Sequence, residues 1–231
     1  MEHEIKNVAE FVDYVLKVSL GQNMLYRGHS SRAYELIPSL GRHVAYRNGE
    51  KCDPNYLRQR EIQVLEDFRG SSVPYIADRN RTMLDVMSQA QHHGIPTRLM
   101  DWTTNPLVAL YFAVKSVKTE TDGVVYVAPP PPPLPPQVRT GHVLPIDVED
   151  LCHFQPQHID ARIAAQFSIF TLHPNPYQAQ DKSKFKCAWF KGEHKELILA
   201  ELHVLGVNAQ LIFPGLSGIG ERIRNSMFGQ Y

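Results

Sequence analysis

Hydrophobic positions along the chain follow two patterns, recurrence every three or four residues and short unbroken runs. The first pattern predicts a helix over residues 5–20, which ends near Gly21. The same spacing, or an apolar composition on nearly every side, predicts further helices at 54–69, 82–93, 105–117, 194–205 and after Pro214. Runs rich in β-branched and aromatic residues predict strands at 24–28, 124–128, 143–147 and 209–213. We therefore expect an α+β fold in which a mixed or antiparallel sheet is flanked by helices.

The chain length and a proline tract bear on the domain organisation. With 231 residues the chain can form one large domain or two small ones, and we expect a single domain over 1–231. Residues 129–136, with the sequence PPPPPLPP, must be extended, because proline lacks the amide donor that helices and sheet interiors need. We interpret this proline-rich loop as a stiff surface segment, and docking to a partner with an aromatic groove is the alternative.

The charge balance narrows the classes of partner. Lysine plus arginine equal aspartate plus glutamate, at 24 each, so no overall field attracts nucleic acid or an anionic membrane, and any binding of polyanions must be local. The acidic N-terminus lacks the apolar run of a signal peptide, and no stretch approaches the ~20 apolar residues of a membrane span. We expect a cytoplasmic protein with no membrane partner. The scattered cysteines, Cys52, Cys152 and Cys187, form no CxxC pair, which indicates reduced thiols and no cysteine zinc site.

Polar side chains concentrate in residues 89–113, between two predicted helices. The polar and aromatic residues of this stretch include His92, His93, Thr97, Arg98, Asp101 and Trp102. Arg98 and Asp101 suit a mutual ion pair, because burying one charge without the other costs several kcal/mol. The histidine pair can supply a general acid or base, but it lacks the HExxH spacing of a zinc helix, so we expect no metal. The alternative is a network that only stabilises the fold, with Thr97 as a local cap and Trp102 in the core.

Several motifs resemble those of the FRG domain family. Tyr26-Arg27-Gly28 is similar to the aromatic-arginine-glycine signature that names the family, and residues 38–42 (PSLGR) are similar to its PSLxR element. The longest match is AQHHGIPTRLMDWT at 90–103, which follows the family motif AQHxGxPTRLLDWT almost letter for letter and continues as ALYFA at 109–113. Further similar positions are Glu61, Phe68, Arg162, Gln166, Phe170 and 213–218. The resemblance covers about 25–223 and departs at Ser168, where glycine is expected, which puts a tight turn there in doubt.

A second resemblance points to a reaction. The Tyr26-Arg27-Gly28 strand end, the polar segment 98–103 and the alanine-rich aromatic helix 108–113 together resemble ADP-ribosyltransferases of the arginine-serine-glutamate type. This resemblance implies an ADP-ribosyltransferase-like core and an NAD-dependent ADP-ribosyltransferase or NAD glycohydrolase, in a toxin, phage or defence context. By the same analogy NAD is the substrate, Arg27 holds a phosphate or ribose of this nucleotide, and a protein or nucleic acid accepts the ADP-ribose.

The candidate site follows from these resemblances and from side-chain chemistry. Residues with groups for cofactor binding are Tyr26, Arg27, Gly28, Thr97, Arg98, Trp102 and Arg162. Candidate catalytic residues are Arg27, Glu61, His93, Asp101 and Gln166. The transferase glutamate belongs on a strand, whereas Glu193 and Glu196 open a predicted helix, so Asp101 and Glu61 are the alternatives for the carboxylate. Gln166, in a segment that we interpret as a strand, can orient a group but cannot act as a base at neutral pH.

We expect one pocket to be lined by Arg27, His93, Arg98, Asp101 and Arg162. The rival hypothesis is a non-catalytic FRG module that recognises a phosphate-bearing ligand or nucleic acid, for which the same arginines suffice without a placed carboxylate. A third hypothesis is a structural or interaction protein that uses the proline tract.

Overall fold

The computed structural model describes residues 2–44, 46–47, 50–51, 53–76, 78, 80–116, 120–156 and 161–228. Its strands are β1 (Glu2–Glu4), β2 (Leu25–His29), β3 (Tyr46–Arg47), β4 (Glu50–Lys51), β5 (Leu99–Thr103), β6 (Gly123–Ala128), β7 (Cys152–Phe154), β8 (Ser168–Leu172) and β9 (Lys186–Phe190). Its α-helices are α1 (Val8–Ser19), α2 (Ser39–Val44), α3 (Pro54–Ser71), α4 (Met83–His92), α5 (Pro106–Val114), α6 (Pro136–Arg139), α7 (Ala161–Ala165), α8 (Lys195–Val204), α9 (Ala209–Ile212) and α10 (Leu216–Phe228). Short 3₁₀ helices lie at Val73–Tyr75, Pro145–Asp147, Lys182–Lys184 and Gly192–His194.

A mixed sheet of seven strands is the centre of the fold. Its strand order is β1-β9-β6-β2-β5-β8-β7, and β3 pairs with β4 in a separate hairpin. β1 runs parallel to β9, whereas the other neighbours in the large sheet are antiparallel. Helices flank this sheet. The predicted α+β class with a mixed sheet is thereby confirmed.

Helices cover one face of the sheet in two groups. The first group, α1, α5 and α8, packs on β2, β6 and β9, and its buried residues include Phe11, Leu110, Val125, Phe190 and Ile198. The second group, α3 and α4, packs on β5, β7 and β8, and its buried residues include Leu65, Met87, Leu99, Phe170 and Leu172. The opposite face of β2, β5 and β6 buries Leu25, Trp102 and Tyr126 against Leu36 and Phe185 from loops. The two helical groups leave the junction of β2 and β5 between them.

The sheet opens at that junction. β2 and β5 share one paired position, Tyr26 opposite Thr103, whereas β2 pairs with β6, and β5 with β8, over five positions each. Beyond the shared position the two strands diverge, and the Arg27 side chain donates a hydrogen bond across the gap to the carbonyl oxygen of Asp101. A side chain therefore replaces the backbone ladder at this point.

Gly28 fixes how closely α5 approaches β2. A Cβ atom at position 28 would lie 1.9 Å from the carbonyl oxygen of Ala109, so only glycine lets the strand backbone pack directly on the helix backbone. The glycine of the Tyr26-Arg27-Gly28 motif is thus required by packing. This contact also sets one wall of the gap.

Two predicted strands are helical in the structure. Residues 143–147 contain the 3₁₀ helix Pro145–Asp147, because Pro145 offers no amide for a ladder and its fixed φ suits a helical first turn. Residues 209–213 contain α9, because Asn208 caps it by accepting hydrogen bonds from the amides of Gln210 and Leu211. The pattern of apolar residues is consistent with a strand or a helix in both segments. The local proline and cap residues favour the helix.

The structure also adjusts the ends of several predicted elements. The N-terminal helix begins at Val8 after the Asn7 cap, since residues 2–4 form a strand that the pattern did not reveal. The helix predicted at 105–117 ends at Val114, and its last predicted residue lies outside the described residues. Gln166 lies in the turn after α7 and not in a strand. That turn is tight despite Ser168, because Phe167 adopts the left-handed region at φ 49°.

The proline tract runs along the edge of the sheet. Pro133 is bridged in parallel to His153 of β7, the Leu134 amide donates to the His153 carbonyl at 2.8 Å, and the His153 amide donates to the Pro132 carbonyl at 2.9 Å. Leu134 is buried, whereas Pro132, Pro133 and Pro135 are exposed. The extended segment therefore covers part of an edge strand, and docking of a partner to it stays a prediction.

Within the described ranges, no helix combines the length and the apolar character needed to cross a membrane. Cys152 and Cys187 are buried free thiols, and Cys52 lies outside the described residues.

Candidate functional site

A cavity of about 710 Å³ lies at the gap between β2 and β5. β2 and the segment after it contribute Tyr26, Arg27, Gly28, His29, Tyr34, Glu35 and Ile37, and α2 contributes Arg42. The other wall holds Gln91 and His92 of α4, Asp101, Trp102 and Thr103 of β5, and Ala109 and Phe112 of α5, followed by Lys115. Residues that lie farther along the sequence complete the lining, namely Arg162, Gln166, Ser168 and Phe213. This volume is in the range of pockets that hold small molecules and cofactors.

Arg27 spans the gap and is fixed on two sides. Its Nη1 donates to the Asp101 carbonyl, and its Nε donates to Nε2 of His29 at 3.1 Å. Among the described residues its Nη2 has no hydrogen-bond partner. Burial lowers the pKa of Arg27, Asp101 opposes this effect and Arg42 adds to it, but arginine stays charged at any working pH. The free end of a held guanidinium is well suited to bind an anion.

His29 serves as a neutral support for Arg27. Burial and the adjacent Arg27 lower its pKa to about 3, so the imidazole is uncharged at neutral pH. A neutral ring can accept the hydrogen bond from Nε of Arg27, which a protonated ring could not do. His29 is therefore a buried acceptor that positions the arginine.

Asp101 is positioned by a chain of hydrogen bonds from its own sequence motif. Gln91 Nε2 donates to Asp101 Oδ2 at 2.9 Å, and Gln91 Oε1 accepts from the Thr97 hydroxyl at 2.7 Å. The Thr97 hydroxyl in turn accepts from the Leu99 amide at 3.1 Å. The Gln91 amide nitrogen donates to a carboxylate oxygen, and its oxygen accepts from a hydroxyl group. Because a flipped amide would place two oxygen acceptors together, these contacts determine its orientation. Asp101 Oδ1 has no hydrogen-bond partner among the described residues. The position of the carboxylate is therefore set by the hydrogen bond to Oδ2.

The PSLxR-like element is joined to the same chain. The Thr97 amide donates to the Ser39 hydroxyl oxygen at 3.1 Å, and the Leu40 amide donates to the Thr97 carbonyl at 3.1 Å. This contact brings α2, and with it Arg42, to the cavity. The motifs that are separated along the chain thus meet around one gap in the sheet.

Cationic side chains outnumber acidic ones in the lining. The cations are Arg27, Arg42, Lys115 and Arg162, and the carboxylates are Glu35 and Asp101. Four cations facing two carboxylates give the cavity a local positive potential, although the whole chain is neutral. The local binding of an anion stays a prediction, and this cavity is our candidate for its site.

Seven of the eleven predicted site residues line this cavity. These are Tyr26, Arg27, Gly28, Asp101, Trp102, Arg162 and Gln166. Gln166 is held there by a hydrogen bond from its Nε2 to the Ile212 carbonyl at 3.1 Å. Trp102 is 5 % exposed, stacks on Phe185 and donates its Nε1 hydrogen to the Thr171 hydroxyl, so it is mainly a core residue with one face at the cavity.

Arg98 and Glu61 are not in the cavity, and the expected pair of Arg98 with Asp101 does not form. Arg98 makes a bidentate ion pair with Glu61 at 2.8 and 2.6 Å, and its Nη1 donates to the carbonyls of His173 and Pro174. Both side chains are at most 5 % exposed. The partner of Arg98 is thus Glu61 of α3, and the Asp101 carboxylate accepts from Gln91 instead. The expectation that Arg98 lines the pocket is wrong.

His93 and Thr97 also lie outside the lining. His93 is the exposed C-cap of α4, and its ring lies 6.1 Å from that of Phe68. The neighbouring His92, one position earlier on the helix, lines the cavity instead. Thr97 is buried and acts through Gln91. The two adjacent histidines cannot be distinguished from the sequence, because the difference between them depends on where α4 ends.

Several lining residues are not predicted by the sequence pattern. They are Tyr34, Glu35, Arg42, Gln91, Phe112, Lys115 and Phe213. Gln91 and Arg42 belong to quoted family motifs, which was an available signal for both. Glu35 and Lys115 carry no such signal, because their position depends on the gap. Within the part of the chain that the structure describes, no group of three His, Cys, Asp or Glu residues is arranged to hold a metal.

A family model described as FRG domain matches residues 22–122. An FRG domain is thus detected over residues 22–122, which make up less than half of the chain. The matched residues include β2, α2, α3, α4, β5 and α5, and thus Arg27, Arg42, Gln91, Asp101 and Lys115. No curated protein and no solved structure matches the chain. The similarity to the FRG family between residues 123 and 223, which includes Arg162 and Gln166, stays a prediction, as does a single-domain boundary at 1–231.

Proposed function

We propose that the cavity of this FRG-domain protein binds NAD and that the protein is an ADP-ribosyltransferase-like enzyme, acting as a transferase or an NAD glycohydrolase. The observation that supports this proposal is the convergence of Arg27, Arg42 and Asp101 on one gap in the sheet. The resemblance of the Tyr26-Arg27-Gly28 strand end to ADP-ribosyltransferases favours NAD over other anionic ligands.

In this proposal, Arg27 and Arg42 hold the pyrophosphate. Arg27 offers the two hydrogens of Nη2, while Nε and Nη1 keep the guanidinium in place through His29 and Asp101. Arg42 lies close enough to lower the pKa of Arg27 by repulsion. An anion between the two guanidinium groups removes this repulsion and forms charge-assisted hydrogen bonds with both.

Of the two carboxylates that the sequence suggested, Asp101 is the one for the reaction, because Glu61 is neutralised by Arg98 outside the cavity. Cleavage breaks the bond between C1′ of the ribose and N1 of nicotinamide, and the bonding electrons leave with nicotinamide as a neutral molecule. The positive charge that develops on the ribose is stabilised by a carboxylate whose position is fixed in advance. Water or an acceptor then attacks C1′ and loses a proton. Asp101 Oδ1 is the oxygen for these roles, since Oδ2 accepts from Gln91.

A non-catalytic module that binds a phosphate-bearing ligand or nucleic acid is the second candidate. It is favoured by the excess of cations over carboxylates in the lining, which serves binding without serving cleavage. If the ligand is nucleic acid, its affinity must fall steeply with salt, because phosphate contacts release counterions.

The test is the release of nicotinamide from NAD by the purified protein, followed by chromatography. We expect release by the wild type and a loss of at least about a hundred-fold in Asp101→Asn, which keeps the shape and removes the charge. Asp13→Asn, at an exposed ion pair of α1, is the matched control and should not change the rate. NAD binding without any release would assign the protein to the second candidate, and absence of both would reject the NAD proposal.

A further inference from the structure

Gln166 presents a fixed hydrogen-bond acceptor to the cavity. Its Nε2 donates to the Ile212 carbonyl at 3.1 Å, and this bond determines the amide orientation, because an amide oxygen in the same place could not donate. Within the described ranges Gln166 Oε1 has no hydrogen-bond partner, and it is not buried, so it is accessible from the cavity that the side chain lines. This oxygen can accept a hydrogen bond from a ligand but cannot donate one.

The backbone of Gln166 is held as firmly as its side chain. The Gln166 amide donates to the Arg162 carbonyl at 2.9 Å, and the Gln166 carbonyl accepts from the Thr103 hydroxyl at 2.7 Å. The next residue, Phe167, has a left-handed conformation, and its carbonyl accepts from the Thr104 amide at 3.1 Å. A strained turn persists only where the surrounding contacts fix it, and such turns are frequent at ligand sites. The acceptor is therefore preorganised for a ligand.

Hydrogen bonds to three positions on or next to β5 give the order of groups along the cavity. α2, which carries Arg42, is joined by backbone hydrogen bonding to Thr97, just before the strand. Asp101 lies in the middle of the strand, and Gln166 is joined to Thr103 at its end. Asp101 and Thr103 are two residues apart, so their side chains share one face of the strand at a separation of about 7 Å. The order is therefore arginine, carboxylate and amide.

The proposed ligand has its groups in a matching order. In NAD the pyrophosphate is followed by the ribose with its reacting C1′ and then by nicotinamide. With the pyrophosphate at the two arginines and C1′ at Asp101, the nicotinamide ring lies toward Gln166. This ring bears a carboxamide, whose NH2 group is a hydrogen-bond donor. Phe112 and Phe213, whose ring centres are 6.1 Å apart at an interplanar angle of 89°, supply apolar walls at this end.

We infer that Gln166 Oε1 accepts a hydrogen bond from the carboxamide NH2 of nicotinamide and that Gln166 thereby determines specificity for this ring. The inference rests on the proposed binding of NAD and adds a contact that recognises a neutral donor, whereas the arginines recognise negative charge. A ring with a methyl ketone in place of the carboxamide has a similar shape and no charge but lacks the donor. It leaves Oε1 without a partner and should bind less tightly.

Binding of the free ring tests the subsite without any reaction. We expect nicotinamide to shift the side-chain NH2 signals of Gln166 in ¹⁵N-labelled protein and to bind at least about five-fold more tightly than 3-acetylpyridine, the methyl ketone. This preference should disappear in Gln166→Met, which removes the acceptor, and should persist in Gln63→Met, at an exposed glutamine of α3. The ratio of the two affinities is the readout, because loss of the Ile212 contact alone would weaken both rings alike.

The wild type decides the subsite even if Gln166→Met does not fold. No saturable shift with nicotinamide, or equal affinities for the two rings, would reject the contact with Gln166 Oε1. A preference for nicotinamide that persists in a folded Gln166→Met protein would assign the recognition of the carboxamide to another group and would also overturn the inference.

Calorimetry with the whole nucleotides tests the order of groups along the cavity. NAD should bind at least about five-fold more tightly than the dinucleotide that carries the methyl ketone, and the two affinities should become equal in Gln166→Met. Arg42→Met should weaken both nucleotides alike and keep their ratio; a changed ratio would contradict the order. Equal wild-type affinities would overturn the inference and leave the proposed NAD binding intact. If neither nucleotide binds, the proposed function fails, and the titration with the free rings still decides the subsite.

Discussion

The position of Asp101 depends on the residues that hold it. Its carbonyl accepts from Arg27 on one side, and its carboxylate accepts from Gln91, whose amide is oriented by Thr97. These contacts explain why glutamine, threonine and aspartate occur together in the segment 90–103: they form one hydrogen-bond chain. Thr97, which the sequence suggested as a ligand contact, therefore acts indirectly, by orienting Gln91.

Replacing Gln91 with methionine should lower the rate of nicotinamide release about ten- to hundred-fold, because the carboxylate loses its fixed position. The side-chain volume is kept, but the buried Thr97 hydroxyl loses its acceptor, so the free energy of unfolding should also fall by about 1–3 kcal/mol. Thr97→Ser keeps the hydroxyl and should keep the rate. A Gln91→Met protein with the wild-type kcat/KM would show that Asp101 needs no positioning.

The ion pair of Arg98 and Glu61 makes a separate prediction about stability. Arg98→Met leaves a buried carboxylate without its partner and should lower the free energy of unfolding by about 3–5 kcal/mol. The double variant, Arg98→Met with Glu61→Gln, should lower it by much less than the sum of the two single changes. Urea denaturation of the four proteins measures this coupling. The exposed pair of Arg58 and Asp147 is the control, for which less than about 1 kcal/mol is expected. Additive effects for the buried pair would contradict the account.

At the scale of elements, the direct packing of α5 on β2 positions the gap. The helix carries Ala109 and Phe112 to the cavity, and the contact between helix and strand backbones is possible only with glycine at position 28. The position of the strand that carries Arg27 thus depends on the neighbouring residue, Gly28. The Tyr26-Arg27-Gly28 motif combines a core residue, a ligand-binding candidate and a packing requirement.

Gly28→Ala should lower the free energy of unfolding by about 2–3 kcal/mol or more, because the added methyl group meets the Ala109 carbonyl and the backbone must move. Chemical denaturation measures the effect. The opposite sign is expected for Gly70→Ala, since a Cβ in that part of α3 meets no atom within 4 Å and alanine favours the helix. Equal stability of Gly28→Ala and the wild type would show that α5 does not contact β2 closely.

Much of the element order is predictable from the sequence, but the site is only partly so. The helices α3, α4 and α5 and the strands β2 and β6 show clear periodicity or β-branched runs, and the motifs locate Arg27 and Asp101. The gap between β2 and β5 is a property of strand register, which one sequence does not reveal. For that reason the sequence paired Arg98 with the nearby Asp101, whereas the fold supplies Glu61 from another helix. Lys115 and Phe213 are recognisable as neighbours only once α5 and α9 are placed.

In the whole molecule, two buried and neutral histidines lie close to arginine side chains. His29 is 7 % exposed and His173 is 3 % exposed. Burial, together with nearby arginines, lowers their pKa values to about 3 and about 4. Both values lie below the value of about 6.5 for a histidine in an unfolded chain. Below pH 6.5 the unfolded state therefore binds more protons than the folded state, which destabilises the fold as the pH falls.

The free energy of unfolding should be nearly constant between about pH 7 and pH 8 and should fall between about pH 6.5 and pH 4, by up to about 1.4 kcal/mol per pH unit for each of the two histidines. Urea denaturation at pH 7.5, 6 and 5 measures this slope. His173→Gln removes one of the groups and should reduce the slope between pH 6 and 5. A stability that does not change over this range would show that the two histidines are not buried in the neutral form.

Calorimetric titration of NAD into the wild type and Arg42→Met is the most direct test of the central claim, that the gap between β2 and β5 is an anion site for a nucleotide. Arg42→Met removes a cation of the lining without touching the contacts that hold Arg27, and Arg60→Met removes an exposed arginine of α3 as the control. We expect saturable binding that weakens about ten-fold or more in Arg42→Met and is unchanged in Arg60→Met. No saturable binding to the wild type, or equal affinity in all three proteins, would contradict it.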